Sequence, residues 1–291
     1  MIRCFKIALF VANEYGVIRR LTPSGGFMEV YTASLTHTGC VRQHNEDAVF
    51  VDEGLGLYLV ADGMGGHAAG EVASQLVVDV VRDAVQNGAS LAAALHRAHR
   101  DIKTASDKGV GKPGMGSTVV AACLRGKELL IAWVGDSRAY LFRDLGNGLT
   151  LTQVTKDHSF VQRLMDAGAI SQEEARNHPK RNLITQSLGA EQLENVEVDE
   201  TKLKLMPGDK ILLCSDGLSG ELRDDELLAI VKKHGDAPEV LVQALVQAAC
   251  DAGGNDNISV VAICIPSQPE EKKRVFMKGL VRRFKQFLTR E

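Results

Sequence analysis

Acidic residues recur in this sequence where apolar runs begin or end. They are Asp62 after residues 55–61, Asp136 after 129–135, Asp216 after 210–215, and Asp256 before 258–265. A single Asp-Gly pair at a strand end is commonly a turn, and for Asp62 alone that interpretation stays open. Four such residues are hard to explain as turns, because a carboxylate beside a buried strand is costly unless its charge is compensated. If the strand ends converge, a cation must relieve the repulsion, and an all-oxygen ligand set favours Mg2+ or Mn2+ over zinc.

The elements that would position these acids follow from hydrophobic periodicity. Strand-like runs lie at residues 30–35, 48–52, 55–61, 117–124, 129–134, 138–143, 149–154, 196–205, 210–214 and 258–265. Helical spacing of apolar residues is found at 69–85, 91–105, 224–233 and 237–252. Several of the strands are separated by only a few residues, and connections that short join antiparallel neighbours. The sequence therefore predicts an α+β fold in which antiparallel sheets are covered by helices.

Composition limits the class of protein. The chain of 291 residues has 45% apolar side chains, which is enough for one large domain or two small ones. The formal net charge of -3 argues against nucleic acid as a partner. The six cysteines form no C-x-x-C pair, which favours reduced thiols in the cytoplasm over a disulfide framework. No apolar run is long enough to be a transmembrane segment, and the run at 7–12 is too weak for a signal peptide.

Breaker residues divide the chain into three parts. Residues 1–28 are predicted to be an extension that ends in the breaker cluster 23–26, residues 29–266 the main domain, and 267–291 a linker and helix. Over residues 272–290, apolar side chains gather on one helical face and lysines and arginines on the other. Such a basic amphipathic helix could dock on its own domain, bind a partner protein, or lie on an anionic membrane surface, and these alternatives stay open.

Six short segments resemble, in order, the motifs of the metal-dependent protein phosphatases (the PPM or type 2C family) in their bacterial form. They are RQHNED at 42–47, ADGMGGH at 61–67, GST at 116–118, GDSR at 135–138, SDGL at 215–218 and NDN at 255–257. The resemblance extends from about residue 30 to residue 265. It implies an α-β-β-α sandwich of two antiparallel sheets with a dinuclear metal centre at one end. It also implies that residues 156–188 form a flap beside that centre, although two ordinary surface helices are the simpler interpretation.

The resemblance assigns a role to each acidic residue. Asp62 would bridge two ions, the carbonyl of Gly63 would bind one of them, and Asp216 and Asp256 would complete one ion's shell. Glu46 and Asp47 match acids that hold a metal-bound water or a ligand position, and Asp136 with Asp216 would hold an optional third ion. The expected cofactors are thus two Mn2+ or Mg2+ ions per active site, with a third as an option.

The implied activity is hydrolysis of phosphoserine and phosphothreonine by a water that the two ions activate. Arg42 would bind the phosphate, because a guanidinium matches two phosphate oxygens at once. His67 is a candidate proton donor for the leaving alkoxide, and a structural role in its glycine-rich loop is the alternative. The expected partners are phosphorylated proteins, by analogy the targets of a serine/threonine kinase. The protein itself is expected to be a cytoplasmic monomer.

Three rival interpretations can be compared with this one. Residues 63–68 satisfy a G-x-G-x-x-A dinucleotide fingerprint, but Asp62 would oppose the pyrophosphate and the following helix leads to a second helix. Residues 111–118 have the spacing of a phosphate-binding loop motif, but Ser117 stands where that motif requires lysine. A catalytically inactive module that binds phosphoproteins would keep the same fold, and the complete set of acids argues against it.

Overall fold

The computed structural model describes residues 18–21, 27–65 and 69–267, with side chains from Glu29 onward. His67 and the predicted helix over 272–290 lie outside the described residues. The strands are β1 (Ile18–Leu21), β2 (Phe27–His37), β3 (Asp47–Asp52), β4 (Leu57–Met64), β5 (Gly116–Arg125), β6 (Glu128–Val134), β7 (Arg138–Asp144), β8 (Leu149–Gln153), β9 (Asp199–Lys204), β10 (Lys210–Cys214) and β11 (Ile258–Cys264). The helices are α1 (Ala69–Gln86), α2 (Leu91–Asp107), α3 (Phe160–Asp166), α4 (Gln172–Arg176), α5 (Asp216–Ser219), α6 (Asp224–His234) and α7 (Pro238–Ala252).

The strands form two sheets in which every pairing is antiparallel. A six-stranded sheet has the order β1-β2-β11-β10-β7-β8, and a five-stranded sheet has the order β3-β4-β5-β6-β9. Consecutive strands pair across short turns, as where Arg125 of β5 faces Glu128 of β6. The strand β11, near the end of the described chain, lies between β2 and β10. The antiparallel α+β architecture predicted from the short connections is confirmed.

Three apolar layers hold the sheets and helices together, and β4 shows how alternation builds them. Its residues Leu57 and Leu59 are buried against α1 and α2, whereas Tyr58 and Val60 are buried between the two sheets. The outer face of the six-stranded sheet packs on α6 and α7 through residues such as Leu245. Because successive strand side chains point to opposite faces, a strand covered on both faces has no polar positions, which explains its continuous apolar run. The result is an α-β-β-α sandwich.

The predicted elements match the observed ones closely, with differences at their ends. The run 55–61 continues as a strand through Met64, and the run 196–205 becomes a strand only at Asp199. Within the extension predicted over 1–28, Ile18–Leu21 pairs with β2, whose first residue is Phe27. The sequence Ile-Arg-Arg-Leu does not alternate, so periodicity could not reveal a strand at the edge of a sheet, where backbone hydrogen bonds provide the pairing.

No helix in the described ranges is long and apolar enough to cross a membrane. None of the five cysteines among the residues that the structure describes forms a disulfide.

Candidate metal centre

Five of the predicted acids meet at one end of the sandwich. Because the strands are antiparallel, one strand ends at this edge where its neighbour begins, so acids after one strand and before another lie together. Asp62 near the end of β4 faces Asp47 at the start of β3. Asp136 lies between β6 and β7, at the end of the sheets where Cys214 of β10 faces Arg138 of β7. Asp216 follows β10 and Asp256 precedes β11, which is the antiparallel neighbour of β10. Each sheet therefore contributes carboxylates to one site.

Two serines join the sheets beneath these carboxylates. The Ser215 hydroxyl donates to Asp47 Oδ2 at 2.8 Å, which connects the end of β10 to the start of β3 across the sandwich. The backbone N–H of Ser259 donates to Ser215 Oγ at 3.0 Å, and the N–H of Ser215 donates to the carbonyl of Ser259. All three residues are buried. The position of Asp47 therefore depends on the packing of both sheets.

Asn257 fixes the loop that carries Arg42 and Glu46. Its side-chain amide donates to the carbonyls of Thr38 at 2.8 Å and His44 at 2.9 Å. Its Oδ1 accepts the backbone N–H of Glu46 at 2.8 Å. One buried side chain thus holds both ends of residues 38–46 against the start of β11.

Gly63 occupies a position with no room for a side chain. A Cβ there would lie 2.0 Å from the carbonyl oxygen of Gly70 in α1 and 2.5 Å from that of Glu46. The Gly63 N–H donates to the Glu46 carbonyl at 3.1 Å, and Ser74 of α1 donates to the same carbonyl at 2.6 Å. The carboxyl group of Glu46 lies against the start of α1, since a Cβ on Gly70 would be 2.8 Å from its Cδ. The glycines permit β4, α1 and the 38–46 loop to meet.

Burial and mutual repulsion make this set of carboxylates unfavourable when ionised. Burial raises the pKa of Asp47 to about 8, against hydrogen bonds from two serines that lower it. Burial, followed by repulsion from Asp47, also raises the pKa of Asp62. The pKa of Asp136 is raised by burial and by Asp216, and that of Asp216 by burial and by Asp256. A divalent cation would reverse these shifts by stabilising the charged forms.

Arg42 contacts the acidic cluster directly. Its Nη2 donates to Asp256 Oδ2 at 2.7 Å, and the two side chains are 52% and 34% exposed. Arg42 is therefore at the open side of the site, where a ligand could reach it, whereas Asp47 lies at the buried side.

The donor set fits a hard divalent cation. Asp47 Oδ1 and Asp216 Oδ1 are buried and have no hydrogen-bond partner among the described residues, and unsatisfied buried carboxylate oxygens are rare unless an ion is bound to them. Among the described residues, no three acidic, histidine or cysteine side chains stand close enough around one point to hold an ion as they are. They are instead engaged with their neighbours, as Asp47 is with Ser215 and Asp256 with Arg42. An ion would have to compete with Arg42 for Asp256 Oδ2, whereas Ser215 leaves the other oxygen of Asp47, Oδ1, available.

The base of the predicted flap is fixed to the same end of the sandwich. Arg138 forms a bidentate ion pair with Asp157, with Nε–Oδ1 at 2.9 Å and Nη2–Oδ2 at 2.7 Å. The backbone N–H of His158 donates to the Gly135 carbonyl at 2.8 Å, and the Gly135 N–H donates to His158 Nδ1 at 3.2 Å. His158 packs against Trp133, as expected for a structural residue. The first residues of the predicted flap are therefore bonded to Gly135, which is the chain neighbour of Asp136.

Sequence reasoning placed the acids but gave no role to the residues that hold them. These are Ser215, Ser259, Asn257, Arg138 and Asp157. Three of them lie inside the recognised motifs SDGL, NDN and GDSR, so the motifs themselves carried the signal. Ser259 and Asp157 have no comparable signal, because each is recognised only by its contact across the fold.

The comparisons with known proteins agree with this geometry. The family model described as protein phosphatase 2C matches residues 36–244. The chain belongs to the protein phosphatase 2C family.

Individual relatives extend the comparison. The chain is 43% identical over 257 residues to the serine/threonine protein phosphatase PstP of Mycobacterium tuberculosis, covering 86% of this chain and 48% of that protein. It thus spans about half the length of this mycobacterial relative. It is 36% identical over 241 residues to the serine/threonine phosphatase stp of Listeria monocytogenes, covering 78% of this chain and 93% of that protein.

Solved structures share the fold. A crystal structure of the Mycobacterium tuberculosis serine/threonine phosphatase PstP/Ppp superposes with a TM-score of 0.72 at 37% identity, covering 81% of this chain and 99% of that one. A PstP catalytic domain in complex with two manganese ions gives a TM-score of 0.70 at 36% identity, covering 81% and 98%. The bacterial type of family member predicted from the motifs is confirmed.

Proposed function

We propose that this chain hydrolyses phosphoserine and phosphothreonine in proteins with a water activated by two divalent cations. The observation that carries the proposal is the meeting of five carboxylates from both sheets, two of them with buried oxygens that no described residue contacts by a hydrogen bond. The relative of known structure that contains two manganese ions supports the number and type of metal. The dinucleotide alternative is excluded, because β4 and its neighbours are antiparallel and α1 leads to α2.

Each residue then has a proposed role. Asp62 and the Gly63 carbonyl would hold the two ions, Asp216 and Asp256 would complete the shell of one, and Glu46 and Asp47 would orient ligands or bound water. Asp136, close to Asp216, would provide an optional third position. The bound ions would supply a nucleophilic hydroxide at neutral pH and neutralise the charge that develops at phosphorus. His67, as proton donor, remains a prediction on a residue outside the described ranges.

Arg42 would orient the phosphate at the open side of the site. Its planar guanidinium can donate two parallel hydrogen bonds to a phosphate, which a lysine cannot. Its contact with Asp256 places it beside a proposed metal ligand, so a phosphate held there would also face the ions.

The substrates that we propose are phosphorylated targets of a serine/threonine kinase, and the protein would act as a monomer in the cytoplasm. The absence of disulfides among the described cysteines supports a reducing compartment. An inactive module is the less favoured alternative, because every acid of the motifs is present and five of them meet. The contact of residues 272–290 with a partner or a membrane remains a prediction outside the described ranges.

Metal dependence tests the proposed function. Purified protein is expected to release phosphate from a phosphothreonine peptide with Mn2+ or Mg2+, and to lose all turnover in EDTA, because its ligands are oxygens only. Readdition of Mn2+ should restore the rate, whereas Ca2+, which has the same charge but takes more ligands, serves as the control. Undiminished turnover after exhaustive chelation would show that the metal assignment is wrong.

Substitution of Arg42 tests the phosphate site. Arg42→Ala is expected to raise KM for the phosphopeptide about tenfold with a smaller fall in kcat, because a charge-assisted bidentate contact is lost mainly from substrate binding. Arg42→Lys should recover only part of the affinity. Arg97→Ala removes an exposed Arg97–Asp83 pair of the same 2.7 Å length far from the site, and serves as the matched control. A KM unchanged in Arg42→Ala would remove this residue from the phosphate site.

A further inference from the structure

Two cysteines meet where the 38–46 loop contacts the end of α7. Cys40 is exposed in that loop, and Cys250 is half-buried in the last turn of α7. The Cys40 thiol donates to the Cys250 carbonyl at a sulfur–oxygen distance of 3.8 Å, so its sulfur is within about 6.5 Å of the Cys250 Cα. The backbone N–H of Cys40 donates to the Gly254 carbonyl at 2.7 Å, just beyond the helix. The two cysteines are therefore neighbours in the fold, although 210 residues separate them in the sequence.

The imidazole of His37 lies beside Cys250 and can accept its proton. The backbone N–H of Gly39 donates to His37 Nδ1 at 3.0 Å, so this nitrogen carries a lone pair and no proton. Cys250 Sγ is 3.6 Å from the same nitrogen, and the thiol is therefore the donor in that contact. A thiol that can pass its proton to an imidazole forms the thiolate more readily, and the thiolate is the nucleophile in sulfur chemistry.

The backbone around Cys40 connects this pair of cysteines to the metal centre. Gly39 packs directly on Asp256, since a Cβ on Gly39 would overlap the Asp256 carbonyl oxygen. Arg42, two residues after Cys40, donates to Asp256 Oδ2 at 2.7 Å. The loop that carries these residues lies between β2 and β3, and a loop shifts more easily than the strands that it joins. A displacement of Cys40 would therefore change how Arg42 and Asp256 meet.

We propose that Cys40 and Cys250 are a site of reversible oxidation, at which a hydroperoxide converts the two thiols to a disulfide that lowers the phosphatase activity. The effect on activity rests on the phosphatase function proposed above. The sulfur atoms of a disulfide are about 2 Å apart, which is closer than any non-bonded contact, so the bond draws Cys40 towards α7. The loop moves with it, and Arg42 leaves the position from which it would hold the phosphate.

With hydrogen peroxide the oxidation has two steps, each of which releases one water. The sulfur of the exposed Cys40 attacks one peroxide oxygen, the O–O bond breaks, and Cys40 becomes a sulfenic acid. Cys250, having passed its proton to His37 Nδ1, attacks the Cys40 sulfur, and the S–O bond breaks. The hydroxide that leaves takes the proton from His37. The two thiols lose two electrons and two protons in all, the peroxide is reduced to two waters, and a dithiol such as dithiothreitol reverses the change.

Mass spectrometry tests the bond itself. The full chain is treated with hydrogen peroxide in EDTA, so that no metal ion reacts with the oxidant, and catalase then removes the peroxide. The intact mass is expected to fall by about 2 Da, the mass of the two hydrogens lost. A digest that cleaves at aspartate separates Cys250 from Cys264 and should link the peptide of Cys40 to that of Cys250. A Cys40 that gains only oxygen, or that is linked to another cysteine, overturns the proposal.

Turnover measured after Mn2+ is added back tests the consequence of the bond. For a phosphothreonine peptide, kcat/KM is expected to fall at least about tenfold on oxidation and to recover with dithiothreitol, because small displacements of a substrate-positioning group are that costly. Cys40→Ser and Cys250→Ser should form no cross-link and keep most of their rate. Cys123→Ala removes a buried thiol of β5 and is the matched control, which should lose and regain activity as the parent protein does.

The outcomes separate the two proposals. A cross-linked protein with full activity, or a Cys40→Ser variant that is inactivated as strongly as the parent protein, overturns the effect of the bond and leaves the phosphatase function intact. A reduced protein that releases no phosphate with Mn2+ overturns the phosphatase function and with it the effect on activity. The mass measurement decides the disulfide in either case, because it requires no turnover.

Discussion

Replacing Asp216 with asparagine is expected to lower kcat/KM for a phosphopeptide at least about a thousandfold, which corresponds to about 4 kcal/mol of lost transition-state stabilisation. The change keeps the size of the side chain and removes one negative charge from the proposed metal shell. Asp236→Asn is the matched control, because Asp236 is 99% exposed and pairs only loosely with Lys210 at 3.7 Å. It should retain normal kinetics.

The same variant should not be unstable without metal. The folded-state pKa of Asp216 is raised by burial and by Asp256, so the stability that its protonated form contributes is lost as the pH rises above about 4 towards the folded-state pKa. At pH 8 in EDTA, asparagine removes that cost, and the melting temperature of Asp216→Asn should equal or exceed that of the parent protein. The stabilisation by Mn2+ should shrink. A near-normal rate would contradict the assignment of Asp216 as a metal ligand, and a metal-free variant that has unfolded would contradict the cost assigned to its buried charge.

Gly63→Ala is expected to destabilise the fold by about 3 kcal/mol and to lower the melting temperature by about 6 to 12 °C. The added Cβ would overlap the backbone of both Gly70 and Glu46, and neither can move without shifting α1 or the 38–46 loop. Since that loop carries Arg42, the catalytic rate should fall at temperatures where the variant is still folded.

Gly54→Ala provides the matched control for this change. A Cβ on Gly54 would approach only the end of the Asp52 side chain, at 3.1 Å, and a side-chain end can move aside. Its melting temperature should stay within about 2 °C of the parent protein. Thermal unfolding of both variants, with and without Mn2+, makes the comparison. An equal effect of the two substitutions would show that the close approach at Gly63 is not what requires glycine.

Much of the fold could be predicted from the sequence because local signals decided it. Turns as short as that between Arg125 and Glu128 leave only antiparallel pairing, and continuous apolar runs indicate strands covered on both faces. The order of the motifs then predicted that Asp62, Asp136, Asp216 and Asp256 meet, and in the structure each is within range of another's charge.

The remainder could not be predicted because it depends on contacts between distant segments. Ser215 and Asp47 are 168 residues apart, and no local pattern indicates that the Ser215 hydroxyl donates a hydrogen bond to the Asp47 carboxylate. The same holds for Asn257 and the carbonyls of Thr38 and His44. The strand Ile18–Leu21 was missed because an edge strand needs no alternation of apolar residues.

The central place of β11 has a consequence for the synthesis of the protein. While the ribosome has produced only the first two hundred and fifty residues, β2 and β10 have no strand between them, and Asp256 and Asn257 do not yet exist in the chain. The nascent protein therefore presents two unpaired strand edges, which invite association with other chains. It also lacks the proposed metal ligand Asp256, so under the proposed function it is expected to release no phosphate. Insertion of the last described strand thus completes the sheet and brings Asp256 to the other acids in one event, so that an interrupted chain is expected to lack the proposed activity.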